Sequence, residues 1–139
     1  MQLNPYLTFD GRCEDAFRFY ERVLGGKIAF MMRWGEGPMA EQSDPATRNQ
    51  IMHARLVIGD QILMGSDGGG QCQQPMAGFS VTINVDDPAD ADRIYNALSE
   101  GGETRMPIQE TFWARRFGML TDRFGTPWMI NCEKPMQPA

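Results

Sequence analysis

A single histidine, three cysteines and no long apolar run set the first limits on this chain of 139 residues. No window approaches the ~20 apolar residues needed to cross a bilayer. The start, Met1-Gln2-Leu3-Asn4-Pro5, has no basic segment leading into an apolar one, so neither export nor anchoring is expected. Cys13, Cys72 and Cys132 are odd in number and far apart. They fit neither a disulfide framework nor a CxxC metal or redox pair, and three free thiols in a reducing cytoplasm are expected. HExxH and GxSxG are missing, and nothing marks the strained turn of a serine nucleophile. Gly68-Gly69-Gly70 runs into Gln71-Cys72, where a phosphate loop needs Lys-Ser/Thr and a helix start; it reads as linker. Positive charge is also short. The 13 Lys and Arg against 18 Asp and Glu leave a net charge of −5, which disfavours nucleic acid and anionic membrane surfaces as partners.

What is present suits one domain with one core: 42% of residues are hydrophobic. Eleven methionines, Met31-Met32 among them, read as core filler. The chain also repeats itself weakly. At a shift of about 75 residues Ala16, Arg18 and Tyr20 meet Ala91, Arg93 and Tyr95, and just upstream Leu7, Phe9 and Asp10 meet Ile83, Val85 and Asp86. Each half therefore reads as an alternating strand, an acidic turn and an amphipathic helix.

In the first half, Leu3 to Phe9 alternates as a strand does. Glu14 to Leu24 carries apolar residues at helical spacing, and Gly25-Gly26 stops it. Lys27 to Trp34, Gln50 to Ile58 and Gln61 to Ser66 read as strands, with Gly59-Asp60 as a tight turn. In the second half Phe79 to Val85 alternates, and Pro88 opens a helix through Glu100 that ends at Gly101-Gly102. Arg105 to Trp113, Arg116 to Thr121 and Pro127 to Cys132 follow as strands. Gly35 to Arg48 and Asp67 to Ala77 are loops by composition, the first either a lid or disordered, the second a joint between halves.

The strings LNPYLTFDG, CEDAFRFYERVLGG, HARLVIGDQILMGSD and QETFWARRFGMLTDRFGTPWMIN resemble the PhnB-like branch of the vicinal-oxygen-chelate superfamily, the glyoxalase, bleomycin resistance and dioxygenase group. The likeness covers residues 3 to 132. It implies an α+β fold of two βαβββ modules, 3–66 and 78–132 joined by linker 67–77, whose curved mixed sheets surround a cleft with the helices outside. Members of the branch have been labelled demethylubiquinone methyltransferases; no methyl-donor signature appears in this sequence.

The resemblance also implies where a metal would sit, on the first, fourth, fifth and eighth strands. Carried over by strand alternation, these places are Asn4, Met64, Ser80 and Met129. One amide, one hydroxyl and two thioethers are a poor set for Fe, Mn, Ni or Zn, so neither metal nor other cofactor is expected. With Leu3, Leu7, Phe79, Val81, Trp128 and Ile130 on the core side, the cleft side gains Tyr6, Thr8, Ser66, Thr82 and Asn131. Ala54 and Leu56 suit the helix side, which turns His53 and Arg55 toward the cleft.

His53 is the candidate general acid or base near neutral pH, or else a hydrogen-bonded strand histidine without chemistry. Glu110 is a second candidate if Phe112 and Trp113 bury it; exposed, it would pair with Arg115 or Arg116. Two functions stay open: metal-independent binding of a small organic molecule, as in bleomycin-resistance members, or a glyoxalase-type lyase, isomerase or dioxygenase using His53 and Glu110, with or without a relocated metal. A structural or regulatory partner protein comes third. Unpaired edge strands, the frequency of two-fold dimers and the run Phe112 to Phe117 predict a homodimer with Trp113 at the subunit contact or the cleft mouth.

Overall fold

Each of the two glycine-stopped helices lies on one face of its own four-stranded sheet. The computed structural model describes residues 1–38, 40–42, 44–68 and 74–135; Cys72 and most of the glycine run lie outside them. The chain divides into two units, 1–75 and 76–139.

In the first unit β1 (Tyr6–Phe9), α1 (Cys13–Leu24), β2 (Lys27–Arg33), β3 (Ile51–Ile58) and β4 (Gln61–Asp67) form a sheet in the order β1-β4-β3-β2. β1 and β4 run parallel, with Tyr6 opposite Met64 and Thr8 opposite Ser66, and the other pairings are antiparallel. Alternation turns Leu7, Phe9, Leu63, Ala54 and Leu56 to one face, where they bury against Ala16, Phe17, Tyr20 and Val23 of α1. Gly65 allows that close approach, since a Cβ there would stand 2.8 Å from the Phe17 ring and from the Leu7 carbonyl oxygen. The start of α1 lacks a side-chain cap on its own flank. Asp67 supplies one from the end of β4, accepting hydrogen bonds from the Cys13 and Ile51 amides at 3.1 and 2.8 Å. The segment after β2 holds short 3-10 turns at Trp34–Glu36 and Ala40–Gln42, and the Gly35 amide donates to the Arg48 carbonyl at 2.9 Å.

The second unit repeats the plan with β5 (Val81–Asn84), α2 (Pro88–Ser99), β6 (Glu103–Gln109), β7 (Ala114–Thr121) and β8 (Pro127–Glu133), in the order β5-β8-β7-β6. Both ends of α2 fall 75 residues after those of α1, at 88 and 99 against 13 and 24, so the sequence repeat is a structural one. Asp87 caps α2 by accepting from the Ala89 amide at 2.9 Å. Ala91, Ile94, Tyr95 and Leu98 bury against Leu120, Trp128 and Ile130. Buried Asp122 organises the β7–β8 turn, accepting from the Phe124 and Thr126 amides and from the Trp128 indole N–H at 2.8, 3.0 and 2.8 Å.

Three expectations need correction. Leu3 is 99% exposed and outside β1, which starts at Tyr6: the alternating pattern runs back through Pro5, which has no N–H to extend a ladder. Phe79 is 45% exposed and precedes β5, so it does not lie beneath a helix as its periodicity suggested, whereas Trp128 is 1% exposed. β6 covers Glu103–Gln109, not Arg105 to Trp113. The chain leaves the sheet because the Thr111 amide donates to the Ala114 carbonyl at 3.0 Å and the Thr111 hydroxyl accepts from the Ala114 amide at 3.1 Å. That tight reversal carries Phe112 and Trp113 at its tip.

Candidate functional site

In the first module the side chains on the sheet face away from α1 come from four strands. Tyr6 and Thr8 of β1, Met64 and Ser66 of β4, His53 and Arg55 of β3, and Phe30 of β2 share it by register. Tyr6 reaches across β4 to His53: its hydroxyl lies 3.1 Å from Nδ1, in a hydrogen bond whose direction follows the imidazole tautomer. The two rings stack at 5.7 Å between centroids, and Phe30 of β2 closes on His53 from the other side at 5.8 Å. Tyr6 and Phe30 stay 47% and 42% exposed, so the histidine sits between two accessible rings. Among the described residues no ion pair involves Arg55. Alternation did not single out Phe30, because β2 slips register between Ile28 and Phe30 and its faces cannot be counted from the sequence.

Beneath this face Cys13 is no nucleophile. Burial pushes its thiol pKa far up, and the Asp67 and Glu14 carboxylates push the same way.

On the matching face of the second module Thr82 and Asn84 of β5 meet Met129 and Asn131 of β8. The Thr82 hydroxyl donates to Met129 Sδ at 3.6 Å, and Asn131 Nδ2 donates to Asn84 Oδ1 at 3.0 Å. Asn131 is 8% exposed, and its own Oδ1 has no hydrogen-bond partner. Phe117 stands opposite Asn131 in the register, and Trp113 meets Phe117 edge-on at 5.3 Å and Phe112 at 4.8 Å. Asn84 was not named as a site residue in the sequence, and Phe117 only as the end of the run expected at a subunit contact; both become visible here once β7, β8 and β5 are aligned.

Glu110 stands in solvent just beyond β6 and pairs with Lys134 at 3.1 Å. It is neither enclosed by Phe112 and Trp113 nor paired with Arg115 or Arg116. Arg116 turns instead to Asp92 of α2 at 2.7 Å.

The four residues that the resemblance puts at metal positions are poor donors. Asn4 and Ser80 precede β1 and β5, and Met64 and Met129 lie within β4 and β8. Among the described residues the Asn4 amide donates to Gln2 Oε1, at 3.5 Å, and the Met129 sulfur accepts from Thr82. Two thioethers, an amide and a hydroxyl do not suit a hard or borderline cation. Among the described residues no three His, Cys, Asp or Glu side chains gather as a metal would require.

Residues 1–131 match the family model described as 3-demethylubiquinone-9 3-methyltransferase. A PhnB protein from Bacillus cereus with that description is similar in fold, with a TM-score of 0.81 at 21% identity over 95% of this chain and 99% of that one. The chain belongs to the PhnB-like family. A second similar structure is the crystal structure of protein PA1353 from Pseudomonas aeruginosa, 45% identical over 97% of this chain and 99% of that one, with a TM-score of 0.89. The fold of the PhnB-like chain also matches a glyoxylase/bleomycin resistance protein/dioxygenase domain from Frankia sp. EAN1pec, at a TM-score of 0.68 and 16% identity over 99% and 94% of the two chains. That places the two βαβββ modules in the vicinal-oxygen-chelate fold.

Proposed function

We propose that this PhnB-like protein binds a small, partly aromatic organic molecule without a metal ion, against the helix-free faces of its modules. The observation that carries the reading is the Tyr6–His53–Phe30 stack: two accessible rings flank a hydrogen-bonded imidazole, with soft Met64 and polar Thr8 and Ser66 alongside. Such a surface offers stacking area with a few fixed polar groups, the usual make-up of an organic ligand site. Arg55 shares the first face, with Asn4 just before β1, and Thr82, Met129, Asn131 and Trp113 supply the same mixture in the second module, with Ser80 just before β5.

The sequence offers no support for the methyl transfer in the family's description. Neither strand-to-helix turn, Asp10-Gly11-Arg12 nor Val85-Asp86-Asp87, has the glycine-rich form that holds a nucleotide-bearing cofactor. A second reading, acid–base catalysis, is favoured by the Tyr6–His53 hydrogen bond, which fixes the imidazole. We further propose a cytoplasmic homodimer of about 31 kDa, twice the 15.7 kDa chain. Each sheet leaves two edge strands, β1 and β2 or β5 and β6, for a partner to cover. Light scattering that gave a concentration-independent mass near that of one chain would remove the dimer.

The test of binding is a thermal-shift screen of EDTA-dialysed protein against small aromatic and heteroaromatic compounds. Stabilisation that Tyr6→Ala and Phe30→Ala abolish is expected. Turnover of a compound that His53→Ala removes would favour the enzyme, and no stabilisation by any compound would overturn the binding reading.

A further inference from the structure

The second module holds a small cavity that the aromatic rings do not account for. Its volume is about 260 Å³, and Asn84, Val85, Asp86, Arg115 and Glu133 line it. Asn84 ends β5, Glu133 ends β8, and Arg115 lies near the start of β7. Between Ala114 and Arg116 the register slips, so that two steps along β7 match one along β8, from Glu133 to Cys132. A bulge of this kind redirects a side chain. Arg116 turns to the helix and Asp92, while its neighbour Arg115 borders the cavity.

Three ionised side chains thus share one rim. Among the described residues none of Asp86, Arg115 and Glu133 forms an ion pair, with each other or elsewhere. An unpaired guanidinium presents a fork of donors suited to a carboxylate. The two carboxylates present acceptors suited to an ammonium. The Asn84 side chain, on the rim, is held by the N–H that it accepts from Asn131 at 3.0 Å, and its oxygen keeps a second lone pair for a donor.

We propose that this cavity is a subsite for a zwitterionic head group, taking a carboxylate on Arg115 and a neighbouring ammonium on Asp86, Glu133 and the Asn84 oxygen. The inference rests on the small-molecule binding reading above and names the chemistry of one end of the ligand. The cavity falls below the roughly 300–1,000 Å³ of whole-ligand pockets, so it suits a head group, not a whole ligand. Phe117, opposite Asn131, and Trp113 beside it offer a surface for an apolar remainder. An α-amino acid with an aromatic side chain has this form.

Calorimetric titration of the full chain with L-phenylalanine, 3-phenylpropionate, phenethylamine and indole tests it. L-Phenylalanine is expected to bind at least about tenfold more tightly than either singly charged analogue, the effect of one charged hydrogen bond. Arg115→Gln should erase its advantage over phenethylamine, and Asp86→Asn should reduce its advantage over 3-phenylpropionate. Arg115→Lys, which keeps the charge and loses the fork, should retain part of the first advantage. Circular dichroism of each variant confirms folding. If the three phenyl compounds bind alike, or if L-phenylalanine binds and Arg115→Gln leaves its preference intact, the subsite is wrong and small-molecule binding stands. Binding of indole without binding of L-phenylalanine likewise overturns the subsite and leaves small-molecule binding in place. If none of the four binds and the aromatic screen is also silent, both readings fall.

Discussion

Replacing Asp67 with asparagine tests how the first module fastens its helix to its sheet. One carboxylate, 1% exposed, accepts from the Cys13 amide at 3.1 Å and the Ile51 amide at 2.8 Å, so the end of β4 ties the bare start of α1 to the start of β3. Asparagine keeps one acceptor oxygen and sets an NH2 donor against the other amide. The change removes a hydrogen bond to a charged group, worth roughly 1.5–3 kcal/mol, and leaves a buried N–H facing a donor, at roughly 1–3 kcal/mol. These two effects overlap, because they concern the same bond, so the expected loss is about 2–4 kcal/mol. Urea denaturation followed by circular dichroism should show the midpoint falling with an unchanged slope, and the melting temperature should drop by about 10 °C. Asp60→Asn is the control: this exposed turn carboxylate accepts from the Gln61 side chain at 3.1 Å and should change stability by less than about 0.5 kcal/mol. An Asp67→Asn protein as stable as that control would refute the role given to this carboxylate.

Gly118→Ala should cost about 1–3 kcal/mol by overpacking, because the new Cβ would stand 2.6 Å from the Tyr95 ring, which is held in place by its hydroxyl donating to the Met106 carbonyl at 3.0 Å; chemical denaturation measures it. Trp128→Ala should cost about 3–5 kcal/mol, since the indole is buried and donates to Asp122, and an expressed variant that melts with the parent would contradict the core described for the second module. The Glu14 carboxyl is held below its ordinary value of 4.5, chiefly by its hydrogen bond from Arg33 at 2.9 Å, so its contribution to stability is present above the ordinary value and is lost as the pH falls through the lowered folded value. Glu14→Gln should therefore cost less than about 1 kcal/mol at neutral pH, given a side chain one-third exposed, and its urea curve should merge with the parent's in acid.

The two modules were legible in the sequence because a core imposes periodicity. Ala16 and Ala91, or Tyr20 and Tyr95, recur where each helix meets its sheet, and all four are buried. Leu3 and Phe79 misled because alternation continues past the last residue that has a partner strand, and sequence alone does not show where hydrogen bonding stops. The site was less legible still. His53, Tyr6 and Arg55 could be put on one face by counting from Ala54 and Leu56, yet the contact across β4 depends on the parallel register of β1, which no local pattern encodes. Phe30 and Arg115 lie at register slips, where counting faces fails. Glu110 shows the opposite error: its aromatic neighbours are adjacent in sequence, but the Thr111 turn puts them at an exposed tip.

Calorimetric titration of EDTA-dialysed protein with the most stabilising compound of the aromatic screen, repeated after adding one equivalent each of manganese, iron, nickel or zinc, addresses metal-independent binding directly. The dissociation constant should be the same with and without each metal, and Tyr6→Ala should weaken it in both conditions. Binding that appears only when a metal is present would contradict the proposal and require a ligand set other than Asn4, Met64, Ser80 and Met129.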